Sequence, residues 1–571
     1  MTTIRTLAVP RRRALARLLS VGAAAVAIAL GATACVAIPD TGRVEQGDTI
    51  SDNSVNDFVF RPNGPVADSS QERILRDFID AGTGPQDNYA VARQFLASSF
   101  ASTWNPRSSV IIRPGVGSTT RTGDTKLDYT IASSATVDDG GHYVPTEDTS
   151  STTLGFQFVQ ENGQWRISSA PDGIVLTPTA FDSVFQAHAV YFYDPTYKYL
   201  VPDTRWFLAR TSTTTRIVSA LLAGPSAWLQ GAVVSAFPEG TQLSLNAVTV
   251  DDGTARVDVT ADALSASPAD RARMQAQLVA SFSTVATVNA VQLTVQSSPI
   301  SVPDSGLGTP VRDPGVDARP LVLSSGQFGF ASTKSVSAIP GVSSAVVGLS
   351  PTSVELSSDQ SFAVVGSRSG SYFARNDGSA LRVDAREGLA PPALDDFGYL
   401  WSAVATSAGE LTAFGPDGVP HPIASKLTAA GTLVSFRLSR DGTRAAALLE
   451  VDGASRLVVM AVIRDAQKVP TGLGDPLELA APTGRPVDAT WADESTVATL
   501  TDDGDSSTVT VAEVGGESRS SGRLSTDAVM LVGGNGVDRM RVITSTGAVL
   551  EPRGSSWQGT GITADLLATQ R

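Results

Sequence analysis

Cysteine is almost absent from this chain: its 571 residues contain one, Cys35. No intramolecular disulfide is available, so stability must come from packed cores, which a chain of this length supplies several times over. Histidine is nearly as scarce. His142, His188 and His421 lie far apart, and none stands at a spacing that suits a metal-ligand set or a nucleophile–base pair. No G-x-S-x-G elbow, P-loop or H-E-x-x-H occurs. Gly366 to Gly370 has an elbow's glycine spacing, but Arg368 occupies the nucleophile's place. Gly559 to Ala564 has the glycines of a dinucleotide loop without a surrounding βαβ unit, and reads as a terminal turn of a sheet. Asp502-Asp503-Gly504-Asp505 is rich in carboxylates but lacks the roughly 12-residue calcium loop with its distal Glu, and reads as a hairpin turn. The chain therefore offers no catalytic residues and no cofactor or metal set, and is expected not to be an enzyme.

Basic charge is also short. Lys and Arg number 43 against 57 Asp and Glu, a net charge of −14. That disfavours nucleic acid, whose phosphates demand basic patches, and broad adhesion to anionic headgroups. Long hydrophobic runs are missing as well. The uncharged stretch 18–34 falls short of the ~20 residues of a membrane span. Ahead of it stand Arg5, Arg11, Arg12, Arg13 and Arg17 with no acidic residue. A basic start, a short apolar segment and a small-residue end describe an export signal. Its last residues, Ala32, Thr33 and Ala34, run directly onto Cys35.

That ending resembles a bacterial lipobox, with Ala32 where the pattern prefers Leu. The resemblance implies removal of a signal peptide, residues 1–34, and acylation of Cys35 as the new N-terminus. Two or more acyl chains anchor stably, each buried methylene contributing about 0.8 kcal/mol. The expected location is the outer face of a bacterial plasma membrane. Loss of five arginines would leave the mature chain still more acidic.

Residues 35–67 are poor in apolar side chains and carry Pro39, Pro62, Gly64 and Pro65, the composition of a flexible tether. Order resumes with a possible capping box, Ser69 and Glu72, before Ile74, Leu75 and Phe78 at helical spacing. Gly82 stops that helix. A second is expected from about Asn88 to Phe100. From Ser109 to Val175 the pattern is strand-like, with a hairpin turning at Asn162-Gly163. Two helices and a curved antiparallel sheet make an α+β domain over 68–178. A second α+β domain follows over 185–300. It runs from a strand at Val190–Phe192, with Leu200-Val201-Pro202 as its exit, to a helix at Thr213–Ala223 closed by Gly224-Pro225. A hairpin through Asp251-Asp252-Gly253, a helix starting at Ser267-Pro268 and a strand at Val291–Val295 complete it. Residues 301–318 read as a linker with few apolar groups, leaving 319–571 to fold alone.

Beyond Arg319 helical periodicity gives way to a loose repeat. Leu356-Ser357-Ser358-Asp359, Leu394-Asp395-Asp396-Phe397, Leu438-Ser439-Arg440-Asp441-Gly442 and Trp491-Ala492-Asp493-Glu494 each precede an apolar strand, and a degraded copy lies near Leu531. Asp441-Gly442 reads as the turn between blades. At roughly 40–45 residues per unit, residues 319–571 make a β-propeller of about six blades. A β-sandwich with irregular hairpins is the structural alternative.

Three features converge on one family. Ile38-Pro39-Asp40-Thr41-Gly42, just after Cys35, is similar to a signature of the actinobacterial LpqB lipoproteins. The stretch from Tyr191 through Val201-Pro202-Asp203, Leu221-Leu222-Ala223-Gly224-Pro225, Phe237-Pro238-Glu239-Gly240-Thr241 and the Asp251-Asp252-Gly253 hairpin resembles a GerMN domain. A propeller follows in the family's order. The resemblance implies an accessory lipoprotein of the MtrA–MtrB two-component system, acting on the extracellular domain of the sensor histidine kinase and influencing cell-wall homeostasis and division. The alternative is a cell-envelope hydrolase or glycan-binding protein that uses the propeller channel.

Overall fold

Ser70, not Ser69, caps the first helix. The computed structural model describes residues 62–146, 151–209, 212–245, 247–302, 308–427 and 431–571. Cys35, the signal peptide and nearly all of the tether lie outside them. Helix α1 (Gln71–Ala81) begins where the Ser70 hydroxyl accepts from the Arg73 amide at 3.3 Å. It buries Ile74, Leu75, Phe78 and Ile79, while Ser69 turns inward. The expected helix from Asn88 to Phe100 is broken into α2 (Gln86–Arg93) and α3 (Ser98–Ala101). Between them the backbone leaves the helix to pair with Ile167: Ala97 donates to its carbonyl at 2.7 Å, and Ile167 donates to Phe95 O at 2.9 Å. Those groups satisfy each other across elements, which a continuous helix forbids.

Eight strands follow: β1 (Ser109–Ile112), β2 (Ser118–Gly123), β3 (Lys126–Ala132), β4 (Ala135–Asp138), β5 (Tyr143–Pro145), β6 (Ser151–Glu161), β7 (Gln164–Ser169) and β8 (Ile174–Leu176). They do not form one curved antiparallel sheet. Two four-stranded sheets, ordered β5-β4-β1-β8 and β2-β3-β6-β7, take its place, and β1 runs parallel to β8. The Asn162-Gly163 hairpin is present between β6 and β7, with φ of 53° and 76° at its corner. Positive φ at both positions matches the twist of paired strands. One apolar core joins α1, both sheets and α4 (Pro178–Val184).

The second domain opens with β9 (Phe185–Tyr193) and β10 (Leu200–Leu208), antiparallel from Tyr193 opposite Leu200. Leu200-Val201-Pro202 thus begins a strand rather than leaving one. Helix α5 (Thr213–Ala223) ends at Gly224, whose φ of 94° excludes a further helical turn. Strands β11 (Thr249–Asp251) and β12 (Thr254–Val259) turn at Asp252 and Gly253. Helix α6 (Pro268–Ser281) starts on Ser267, whose hydroxyl accepts from the Asp270 amide at 3.1 Å, with Pro268 in the first turn. It crosses over to β13 (Ala290–Val295), which lies parallel to β12 and is edged by β14 (Ser298–Pro299). A parallel pair needs such a crossover.

The remainder is all β apart from short helical turns, in successive antiparallel meanders. After β15 (Leu321–Ser324), the innermost strands are β16 (Ser353–Leu356), β17 (Ala393–Leu394), β18 (Thr432–Leu438), β19 (Arg485–Trp491), β20 (Ala528–Val532) and β21 (Leu566–Gln570). Neighbouring inner strands contact one another around the ring. β21 closes it. It pairs antiparallel with β15, Ala568 opposite Leu321, and parallel with β16, Thr569 opposite Glu355, drawing two meanders into one eight-stranded sheet. Closure leaves no exposed seam, the advantage of a propeller over an open sandwich. The architecture is two small α+β domains followed by an all-β propeller.

Candidate functional site

The repeat read from sequence marks one end of the propeller. Each copy is the turn from an innermost strand to its partner, so Asp441-Gly442 lies within a meander rather than between blades. The aspartates organise these turns from inside. Asp395 accepts from the Phe397 and Tyr399 amides, both at 2.9 Å, from the Trp401 indole at 3.0 Å and from Arg464 at 2.7 Å. Burial works against the Asp441 carboxylate, yet the Arg444 charge and hydrogen bonds from Thr443 and Arg444 hold its pKa below the usual range.

The second domain docks on this end. Asp396 accepts from Lys198 and from the Tyr199 hydroxyl, both at 3.0 Å. The Tyr191 hydroxyl donates to Glu494 at 2.7 Å, while the Arg312 guanidinium lies 4.4 Å over the Tyr191 ring. Burial and the Glu494 charge push the Tyr191 pKa upward. The Trp206 indole reaches the Gly515 carbonyl at 2.9 Å. The linker is docked too: Arg440 donates to Pro314 O at 3.0 Å, and Asn535 exchanges two hydrogen bonds with Val316 at 2.8 and 2.9 Å.

Beneath this covered end runs the channel. Arg571 reaches across it to the Leu438 and Ser439 carbonyls. Farther in lie Glu355, Arg437 and Asp488, all less than a tenth exposed. Arg437 stands 3.2 Å from Asp488 and 3.6 Å from Glu355. Asp488 Oδ1 also accepts from the Ser435 hydroxyl and the Ala489 amide, both at 2.9 Å, and its Oδ2 from the Leu531 amide at 3.0 Å. Glu355 Oε2 accepts from the Leu394 amide at 2.8 Å, but Oε1 accepts no hydrogen bond. Burial pushes the Glu355 pKa up; Arg437 and Arg571 oppose that rise without cancelling it. Above the triad opens a cavity of about 110 Å³.

Sequence reasoning missed this triad. A signal was nevertheless present for two of its members, because Glu355 and Arg437 each precede the repeat's leucine, Leu356 or Leu438. In those two copies the position before the leucine faces the channel.

The histidines stay apart. His142 pairs with Asp138 at 2.7 Å beside the Gly140-Gly141 turn. His188 sits buried in β9, with Nδ1 2.9 Å from the Thr284 hydroxyl; burial lowers its pKa. His421 lies in a short strand with its ring 5.7 Å from that of Tyr399. Asp502 to Asp505 spans a hairpin turn, whereas Gly559 to Thr563 lies within a strand instead of a turn. Among the described residues no cluster of His, Cys, Asp and Glu suits a metal ion, and no helix is long and apolar enough to cross a membrane.

Three families match in order along the chain. Residues 64–182 match the N-terminal domain of Lipoprotein LpqB, 189–301 the sporulation and spore germination family, and 326–564 the Lipoprotein LpqB beta-propeller domain. The chain belongs to the LpqB lipoprotein family. It is 27% identical over 499 residues to a Lipoprotein LpqB of Rhodococcus opacus, covering 80% of this chain and 82% of that protein. A Streptomyces avermitilis Lipoprotein LpqB is 24% identical over 505 residues, 80% of each chain. Among solved structures, the first GerMN domain of GerM from Bacillus subtilis is similar at 20% identity and a TM-score of 0.18, over 22% of this chain and 93% of that one. A chain of a nidogen–laminin complex is 10% identical with a TM-score of 0.32, over 44% of this chain and 96% of that one. The residues Val201-Pro202-Asp203 and Gly224-Pro225 lie within the 189–301 match and are held together by hydrogen bonds. Asp203 accepts from Arg205 at 2.7 Å and from the Ser226 amide at 2.8 Å, locking β10 to the end of α5.

Proposed function

We propose that this chain is a lipid-anchored extracytoplasmic protein that binds the extracellular domain of a two-component sensor histidine kinase and modulates its output without catalysing a reaction. The observation that supports a binding role is the locked interface between the second domain, the linker and the propeller. Tyr191, Tyr199, Trp206 and Arg312 all spend polar groups on it. A body fixed in this way presents surfaces of several domains in one geometry, as recognition of a folded partner requires. The kinase as partner, and the influence on cell-wall homeostasis and division, follow from the family resemblance. Anchoring through Cys35 would confine both proteins to one membrane surface and raise their effective concentration.

The test is titration of the chain against the purified extracellular domain of the kinase. Saturable binding supports the reading. No binding at tens of micromolar, a free energy weaker than about −6 kcal/mol, together with hydrolysis of a cell-wall substrate, would favour the enzyme alternative.

A further inference from the structure

The propeller channel is narrow at one end, where a cavity of about 10 Å³ remains, and wider at the other, at about 110 Å³. Arg571, Arg440 and the docked linker fill the end beneath the second domain. The opposite mouth is formed where the innermost strands begin, by Pro391, Pro392, Val434, Val487, Val529 and Leu567. Val529 is 46% exposed there. A collar of Pro, Val and Leu side chains, interrupted by the hydroxyls of Thr352, Ser353 and Thr569, leads inward to a charged floor.

That floor is incomplete. The Asp488 oxygens are saturated by donors, but Glu355 Oε1 accepts no hydrogen bond although Glu355 is 2% exposed. Its nearest cation, Arg437, is 3.6 Å away and shared with Asp488. Two carboxylates share the Arg437 guanidinium; Arg571 adds its charge from the covered end but directs its N–H groups to the Leu438 and Ser439 carbonyls, so it does not donate to Glu355 Oε1. A buried acceptor left without a donor is unfavourable by roughly 1–3 kcal/mol. A donor carrying positive charge removes that penalty and balances the triad.

We propose that the channel is a one-sided pocket for an aliphatic chain tipped by a primary ammonium group, the chemistry of a lysine side chain. Its methylenes would lie along the Pro and Val collar, and its ammonium would donate to Glu355 Oε1. Amphipathic chains of this kind bury their stems and direct their charged heads to polar groups. The cavity of about 110 Å³ is lined by both the collar and the triad, so a narrow chain entering it reaches the charged floor. The source is either a lysine on a partner protein or a free amine.

The experiment is calorimetric titration of the full chain in detergent with Nα-acetyl-lysine amide, Nα-acetyl-norleucine amide, n-butylamine and a Gly-Gly-Lys-Gly-Gly peptide. The lysine amide is expected to bind at least about tenfold more tightly than the norleucine amide, a difference of ~1.4 kcal/mol. Glu355→Gln should reduce that preference about tenfold. Val529→Trp, at the exposed rim and away from the triad, should block entry while leaving the melting temperature unchanged. Affinity should fall as pH is lowered, since a proton on Glu355 competes with the ammonium; Arg437, Arg571 and Asp488 are the other charges facing it. Tighter binding by the peptide than by butylamine assigns the pocket to a partner's lysine, and the reverse assigns it to a free amine. Equal binding of lysine and norleucine amides, no saturation with any probe, or indifference to Val529→Trp overturns the proposal.

Discussion

Trp206 donates its indole N–H to the Gly515 carbonyl at 2.9 Å, while the same ring lies 5.8 Å from Tyr143 and 4.8 Å from Phe181. One side chain on β10 thus touches the first domain's core and the propeller together. Trp206→Phe keeps an aromatic ring, though a smaller one, and loses the hydrogen bond, an expected destabilisation of at least about 1 kcal/mol. Trp206→Ala also removes the ring contacts, for roughly 3 kcal/mol. Differential scanning calorimetry should show the Ala variant melting lower, with its domains no longer unfolding together. An unchanged single transition in that variant would refute the coupling.

Asp441 ties stability to pH. Its pKa is held below the usual carboxylate range, so its favourable contribution is present above the unfolded value near 3.8 and disappears as pH falls through the lower folded value. Asp441→Asn leaves Arg444, which is 0% exposed, without its partner carboxylate. Breaking such a buried pair is destabilising by about 3–5 kcal/mol. The variant should be markedly weaker at pH 7, with the difference narrowing under acid. Denaturant titrations across pH check this; a gap that widens on acidification contradicts it.

Local signals made much of the fold legible. Asn162-Gly163 and Asp252-Gly253 defined hairpins because their corners need positive φ, and Ser267-Pro268 and Gly224 bounded helices through capping chemistry. What failed depended on long-range pairing. Nothing near Leu96 announces that its neighbours bond to Ile167, and nothing in β1 announces a parallel partner in β8. The meeting of the channel triad was illegible for the same reason, although the charges of Glu355 and Arg437 beside the repeat's leucines were in view. Glu355, Arg437 and Asp488 belong to three different meanders and meet through ring closure.

The linker reading needs revision, and a fragment tests it. Low apolar content suggested that residues 301–318 leave the two sides independent, yet Pro314 and Val316 are held by Arg440 and Asn535. The fragment 319–571 retains both closing strands, β15 and β21, so it should fold with a circular dichroism spectrum dominated by β-structure. Without its docked partner it exposes Asp396, Glu494 and Arg440, and its melting temperature should lie several degrees below that of the propeller in the full chain. Substantial helix in the fragment would contradict the ring.

The proposed anchor rests on chemistry at Cys35, which lies outside the described residues. Only a thiol accepts the diacylglyceryl group, and signal removal in a lipobox waits for that step. Cys35→Ser should therefore leave an unlipidated precursor that runs larger, or a protein released from the membrane fraction. A thiol-to-hydroxyl exchange removes only the acylation site, so the variant should keep its melting temperature and its intrinsic affinity for the kinase's extracellular domain. In cells it should signal poorly, because losing confinement to the membrane surface lowers the effective concentration of both partners. Metabolic labelling with a fatty acid, read beside membrane fractionation, decides the matter: label that persists in the Ser variant removes the basis for anchoring at this residue.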